Sequence, residues 1–127
     1  METLYSSLNA VRVLFRRKAL VWSSALAQLG QQSAEYQIKN WGDVSHDYVT
    51  QTIAGTGNRS WAVEKAACLW LKSEGHRAIV LSDEVLEVGC GVARDESGTL
   101  VVCNYRPPPT RRETDVPSIC NHIIHLN

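Results

Sequence analysis

Trp70-Leu-Lys-Ser-Glu-Gly-His-Arg-Ala-Ile-Val-Leu81 runs on to Glu87-Val-Gly-Cys-Gly-Val-Ala93 and is answered by Leu100-Val-Val-Cys-Asn-Tyr-Arg-Pro107. The first piece sets a histidine just after a glycine at a helix end. The other two are β-rich and carry one cysteine each. Between them lies Asp95-Glu-Ser-Gly98, a turn-forming stretch, so Leu86–Arg94 and Thr99–Tyr105 read as an antiparallel hairpin with a glycine in its loop. A hairpin centred near Ser97 puts Cys90 opposite Cys103. Paired strands bring such residues to within about 4.5–5.5 Å, the separation a disulfide needs. The alternative is a pair of buried thiols in a reducing cell. The chain has no Cys-x-x-Cys, which argues against redox catalysis.

Upstream, Ala62, Ala66, Leu69 and Trp70 share one face of a helix expected over 61–73, with Gly75 as its terminator. Leu4, Leu8, Val11 and Phe15 recur at helical spacing and predict an amphipathic helix over 3–18. Its polar side carries Arg12, Arg16, Arg17 and Lys18, basic residues suited to the C-terminal end of the helix dipole. Leu20-Val-Trp22-Ser23 opens a second helix with Ser23 or Ser24 as N-cap and Leu26, Leu29 and Ala34 along one face. Residues 39–60 read as loop and short extended pieces, punctuated by Gly42, Asp43, Gly55, Gly57 and Asn58. Downstream, Pro107-Pro-Pro109 ends regular structure because proline cannot donate to a ladder. Helices on both sides of a sheet make a three-layer α-β-α sandwich.

The chain has 127 residues, enough for one domain with one core. Basic and acidic residues balance at 13 each, so no global charge draws it to nucleic acid or to acidic membranes. No apolar run approaches the ~18–20 residues of a membrane span. Met1-Glu-Thr-Leu-Tyr-Ser-Ser-Leu lacks the basic-then-apolar order of a signal peptide. Four cysteines permit two disulfides in three connectivities. Asn58-Arg59-Ser60 is a glycosylation sequon in a glycine-rich loop, usable if the chain is secreted.

Gly75-His76-Arg77-Ala78-x-x-Leu81, Val88-Gly-Cys-Gly-Val92 and Val102-Cys-Asn-Tyr105 together resemble the CAP superfamily of cysteine-rich secretory, antigen 5 and pathogenesis-related class 1 proteins. The His76 segment is similar to the bacterial form Trp-Met-Asn-Ser-Pro-Gly-His-Arg-Ala-Asn-Ile-Leu; Cys103-Asn-Tyr-x-Pro107 is similar to the eukaryotic signature. Leu20, Trp22, Leu26 and Ala27 match the family's Pro-Leu-x-Trp-x-x-x-Leu-Ala segment. The resemblance runs through 61–108, extends more loosely over 8–60 and stops beyond 110. It implies an α+β fold, a three-layer α-β-α sandwich with a mostly antiparallel central sheet. It places the CAP domain at 1–110 and leaves 111–127 as a tail. It also implies the Cys90–Cys103 bridge, and a second bridge between Cys68 and Cys120 unless Cys68 is a buried single thiol.

The family holds two histidines and two glutamates around a cavity where some members bind a divalent metal. His76 maps onto the Gly-His position and His46 falls where the first histidine belongs. The family's Gly-Glu-Asn-Ile/Leu-Ala motif aligns with Thr50-Gln51-Thr52-Ile53-Ala54, so glutamine replaces glutamate. The second glutamate falls near Ser73, with Glu74 or Glu64 as substitutes. Two imidazoles without a sure carboxylate are half of a zinc site and predict weak affinity. Cys120-x-His122-x-x-His125 has metal-like content but only three ligands. Ser45, Ser73 and Ser82 lie outside any nucleophile-elbow pattern. The resemblance therefore implies a non-enzymatic, extracellular binding protein, a monomer or weak dimer. Its partner would be a sterol, fatty acid or other small lipid, or a protein met in defence or host interaction. A scaffold with no ligand in the cleft is the alternative, and a metal-assisted hydrolase the third.

Overall fold

The computed structural model describes residues 1–40 and 50–109. The chain order is α1 (Glu2–Leu14), β1 (Val21–Trp22), α2 (Ser24–Ile38), β2 (Gln51–Thr56), a 3₁₀ turn (Val63–Lys65), α3 (Ala66–Leu71), α4 (Glu74–Val80), β3 (Glu87–Asp95) and β4 (Gly98–Arg106). The strands form one sheet in the order β1-β3-β4-β2. The β1–β3 pair is parallel and the other two pairs are antiparallel. Helix α2 covers one face; α1, α3 and α4 cover the other. This is the expected α-β-α sandwich with a mostly antiparallel sheet.

The β3–β4 hairpin is the one read from the sequence. Gly98 takes a positive φ of 142°, and a side chain there would run into the Thr56 carbonyl, so glycine is required at this turn. Asp95 closes the loop by accepting hydrogen bonds from the Ser97 amide and hydroxyl. Cys90 stands directly opposite Cys103, with Cα atoms 4.0 Å apart, and the two form a disulfide. Strand alternation then divides the residues between the faces. Val88, Cys90, Val101, Cys103 and Tyr105 join Leu4, Leu8, Trp70, Leu71 and Leu81 in the main core. Gly89 and Gly91 turn toward α2, where a Cβ would collide with the backbone of Ser23–Ala27 or of Gly30–Gln31.

That close approach explains a correction on α2. Ser23 is the N-cap, its hydroxyl accepting from the Leu26 amide at 3.2 Å, as expected. Leu29, however, is 48% exposed, and the inward position is held by Gly30 beside it. The helix lies too near the sheet for a leucine to fit between.

Three more readings change. The helix expected over 61–73 is a 3₁₀ turn followed by the six-residue α3, with Leu69 on its outer side. Gly75 does not terminate it; Lys72 and Ser73 separate two helices, and Gly75 lies in the first turn of α4. The helix expected over 3–18 ends at Leu14, whereas one of the short extended pieces expected within 39–60 is strand β2, pairing residue by residue with β4 from Gln51↔Asn104 to Thr56↔Thr99.

Arg12 is the largest departure. It has no exposed surface. Its guanidinium donates to the carbonyls of Lys18 at 2.8 Å, Val80 at 2.9 Å and Ser82 at 2.7 Å, with a longer contact to Val85 at 3.5 Å. It binds the end of α1 to the segment joining α4 to β3. Burial, with the nearby Arg17 charge, lowers its pKa to about 10, which leaves it charged at neutral pH.

Candidate functional site

Gln51 opens β2 at one edge of the sheet and is buried. Its Nε2 donates to Asn104 Oδ1 at 2.6 Å, and Asn104 Nδ2 donates to the Leu26 carbonyl at 3.3 Å. The Leu26 carbonyl accepts only, so it orients the Asn104 amide and leaves Oδ1 facing Gln51. Position 51 must therefore supply a donor, which a glutamine amide does and an ionised glutamate does not. Among the described residues Gln51 Oε1 finds no donor. On the other face of the same strand, Thr52 and Tyr105 share a hydrogen bond of 2.8 Å between hydroxyls. Burial pushes the Tyr105 phenol well above its ordinary pKa, more than the Thr52 hydrogen bond pulls it down, so this layer is neutral.

His76 reaches the same edge through Trp70. The Trp70 indole Nε1 donates to the Ile53 carbonyl at 3.1 Å, two residues along β2 from Gln51. The His76 ring lies 6.4 Å from the Trp70 ring, tilted by 60°. His76 is half-buried, while Ser73 and Glu74, at the start of α4, are exposed. Glu64 is exposed in the 3₁₀ turn. His46 lies outside the described residues, so the expected histidine pair is not on view. Among the described residues, no group of three or more His, Cys, Asp or Glu gathers to hold a metal ion. Gln51 brings a neutral amide already engaged with Asn104 in place of a carboxylate. The described residues do not fit a divalent metal.

The opposite edge of the sheet carries a different feature. Met1, Glu2, Tyr5 and Trp22 line a cavity of about 380 Å³ whose surface is mostly apolar. Trp22 belongs to β1, and its ring meets that of Tyr5 edge to face at 5.2 Å. Tyr5 is held by its hydroxyl, which donates to the Leu20 carbonyl at 2.7 Å. With β1 and β2 at the two ends of a four-stranded sheet, three strand spacings, roughly 14 Å, separate the edges. The sequence marked Trp22 as part of a family segment but held no sign of Tyr5 beside it, since the two meet only through folding.

Of the remaining site residues, Cys68 is buried in α3 and disulfide-bonded, and Cys120, the partner expected for it, lies outside the described residues. Asn58 is exposed in the loop after β2. Beside the Gln51 end of the sheet, Arg106 pairs with Glu87 and its hydrogen bonds hold the Glu87 carboxyl below its ordinary pKa. Among the described residues no helix is long and apolar enough to cross a membrane.

Comparison with known proteins bears on this geometry. The fold is similar to that of MpPR-1i, 22% identical, with 91% of this chain and 92% of the other aligned at a TM-score of 0.66. Venom allergen-like protein 4 of Schistosoma mansoni is 19% identical over 91% of each chain, at a TM-score of 0.65. The hookworm platelet inhibitor is 16% identical over 98% of this chain and 80% of its own, at 0.66. Identities this low establish the fold alone. No curated protein sequence matches the chain. The model of the cysteine-rich secretory protein family matches residues 5–105, from Tyr5 beside the apolar cavity to Tyr105 in the core, and the chain belongs to that family, the CAP proteins.

Proposed function

We propose that this CAP domain is a non-enzymatic binding protein that works outside the cell and takes up a small lipid such as a sterol or fatty acid. The observation that carries the reading is the Gln51–Asn104 pair. A general acid or base must exchange a proton near neutral pH, and a hydrolytic metal needs charged or imidazole ligands. A buried amide offers neither. The apolar cavity beside Tyr5 and Trp22 supports a lipid: its 380 Å³ falls within the usual range for small-molecule sites. An oxidising compartment accords with the Cys90–Cys103 disulfide.

The test is to incubate the purified protein with cholesterol and with palmitate, separate free lipid, and extract and weigh what remains bound. We expect near-stoichiometric retention of one class, reduced at least tenfold in Trp22→Ala. No retention of either lipid would leave the ligand-free interaction scaffold. Zinc-dependent ester or peptide hydrolysis that vanishes in His76→Ala would replace the binding reading with an enzymatic one.

A further inference from the structure

We infer that Asn58 is an acceptor for an N-linked glycan, presented on the end of the sheet away from Gln51; the inference rests on the extracellular reading above. Asn58-Arg59-Ser60 carries the required amide and the hydroxyl two residues on. The structure adds how the triplet is held. Asn58 Oδ1 accepts from the Ser60 amide at 2.9 Å, which turns the side chain back over its own loop. Asn58 Nδ2 is then left without an acceptor among the described residues, and both Asn58 and Ser60 are exposed.

The backbone around the triplet is pinned from the β3–β4 hairpin. Thr99 Oγ1 donates to the Asn58 carbonyl at 2.9 Å. Arg94 donates to the carbonyls of Arg59 at 3.0 Å and Trp61 at 2.7 Å. Inside the loop the Trp61 amide donates to the Asn58 carbonyl at 3.2 Å. All these bonds use main-chain oxygens and none engages the Asn58 amide nitrogen. A glycan here is therefore carried at a set place on the domain. That place follows Thr56, the last residue of β2, while Gln51 is the first. Five residues of strand at about 3.3 Å each put roughly 17 Å between the two ends. A glycan at Asn58 projects from the hairpin end and leaves the Gln51 end uncovered.

The chemistry is a transfer from a lipid-pyrophosphate-linked oligosaccharide. Nδ2 forms a bond to the anomeric carbon of the sugar and the bond from that carbon to the phosphate oxygen breaks. The lipid pyrophosphate leaves with the electron pair, and Nδ2 gives up one proton to the base of the transferase.

The experiment directs the full chain into a eukaryotic secretory pathway behind an added leader and reads intact mass before and after a peptide N-glycosidase. The expected result is a glycan-sized increment on the secreted protein, removed by the glycosidase with conversion of Asn58 to aspartate. Asn58→Gln and Ser60→Ala should each abolish the increment, and Ser60→Thr should keep it. Secreted wild-type protein of unmodified mass would overturn the inference, as would an increment that survives in both Asn58→Gln and Ser60→Ala. The extracellular reading is judged separately, by locating the chain in its own cells without the added leader. A cell-interior location would sink that reading and leave the leader-driven result to decide Asn58 alone.

Discussion

Arg12 and Gln51 show how much a single side chain does when it is buried and polar. Arg12 supplies donors to the Lys18, Val80 and Ser82 carbonyls together. Truncation to alanine removes every one of those bonds, and a buried carbonyl left unpaired carries its full desolvation penalty. We expect Arg12→Ala to lose about 3–5 kcal/mol in urea unfolding. Arg12→Lys should recover only part, because an ammonium cannot reproduce the planar fork. A loss under about 1 kcal/mol for Arg12→Ala would mean that water replaces the guanidinium. Gln51→Glu tests the amide pair. An ionised carboxylate would face Asn104 Oδ1 in a buried setting, so its folded pKa must rise above the ordinary ~4.3 of an unfolded glutamate. With the folded value raised, the protonated form suits the fold and the penalty grows as pH climbs past the unfolded value. The variant should be near wild-type stability at pH 4 and about 2–4 kcal/mol weaker at pH 7. Equal stability at both pH values would show that the position accepts a carboxylate. Neither role was legible in the sequence in full. In the sequence Arg12 reads as one more basic residue of a helical polar face, like Arg16 and Lys18, and what sets it apart includes carbonyls 68 and 70 positions away. The glutamine at 51 was visible as a departure from the family motif, but its reason, the orientation of Asn104, was not.

Two devices let α2 and the sheet share a close interface. One is the glycine set Gly30, Gly89 and Gly91. At Gly91 the nearest obstacle is the backbone of Gln31, which cannot move aside as a side chain would. Gly91→Ala should therefore push the helix off the sheet, at a cost of about 3 kcal/mol in thermal or urea unfolding. A loss below about 0.5 kcal/mol would imply that α2 slides without penalty. The other device caps an edge. Strand β1 spans only Val21–Trp22, so β3 outruns its neighbour. Gln31 fills the gap: its Nε2 donates to the Val92 carbonyl at 2.8 Å and the Val92 amide donates to its Oε1 at 2.9 Å. A side chain imitates a strand and covers an exposed ladder. Gln31→Ala should cost about 1–2 kcal/mol and speed hydrogen exchange at the Val92 amide; unchanged exchange would count against the cap. At this scale the hairpin was readable, because alternation and a turn glycine are local signals. Strand β2 was obscured because Gln51-Thr52 opens it with polar residues whose partners lie on β4. The break between α3 and α4 was obscured because Lys72-Ser73-Glu74 carries no proline and its glycine falls one residue inside the next helix.

For the molecule as a whole, the disulfide and the ends of the sheet decide most. Cys90 and Cys103 are almost wholly buried, at 3% and 0% exposure, between the sheet and α1, α3 and α4. A reductant must open the core to reach them. We expect alkylation of these two thiols to stay undetectable in the folded protein with reductant present, and to appear with the urea transition. Labelling well before that transition would show that the core opens locally. Replacing both with alanine should cost about 2–3 kcal/mol, the range for a short closed loop. The candidate site spreads over the molecule, with Gln51 and Trp70-His76 at one sheet edge and Tyr5-Trp22 at the other. The sequence set Trp22, Gln51, Trp70 and His76 in motifs of one family; the strand order β1-β3-β4-β2 parts them. Two bonds made by Arg12 also set a timetable. Its carbonyl partners Val80 and Ser82 follow it by 68 and 70 positions. As the chain emerges from the ribosome, Arg12 cannot make these two bonds until those residues arrive. Asn58 leaves the exit tunnel more than a score of positions earlier, while those two bonds are still unmade. Arg12 is among the first residues made and these partners are made much later, and the delay opens an interval in which an enzyme waiting at the exit would meet an unfolded chain.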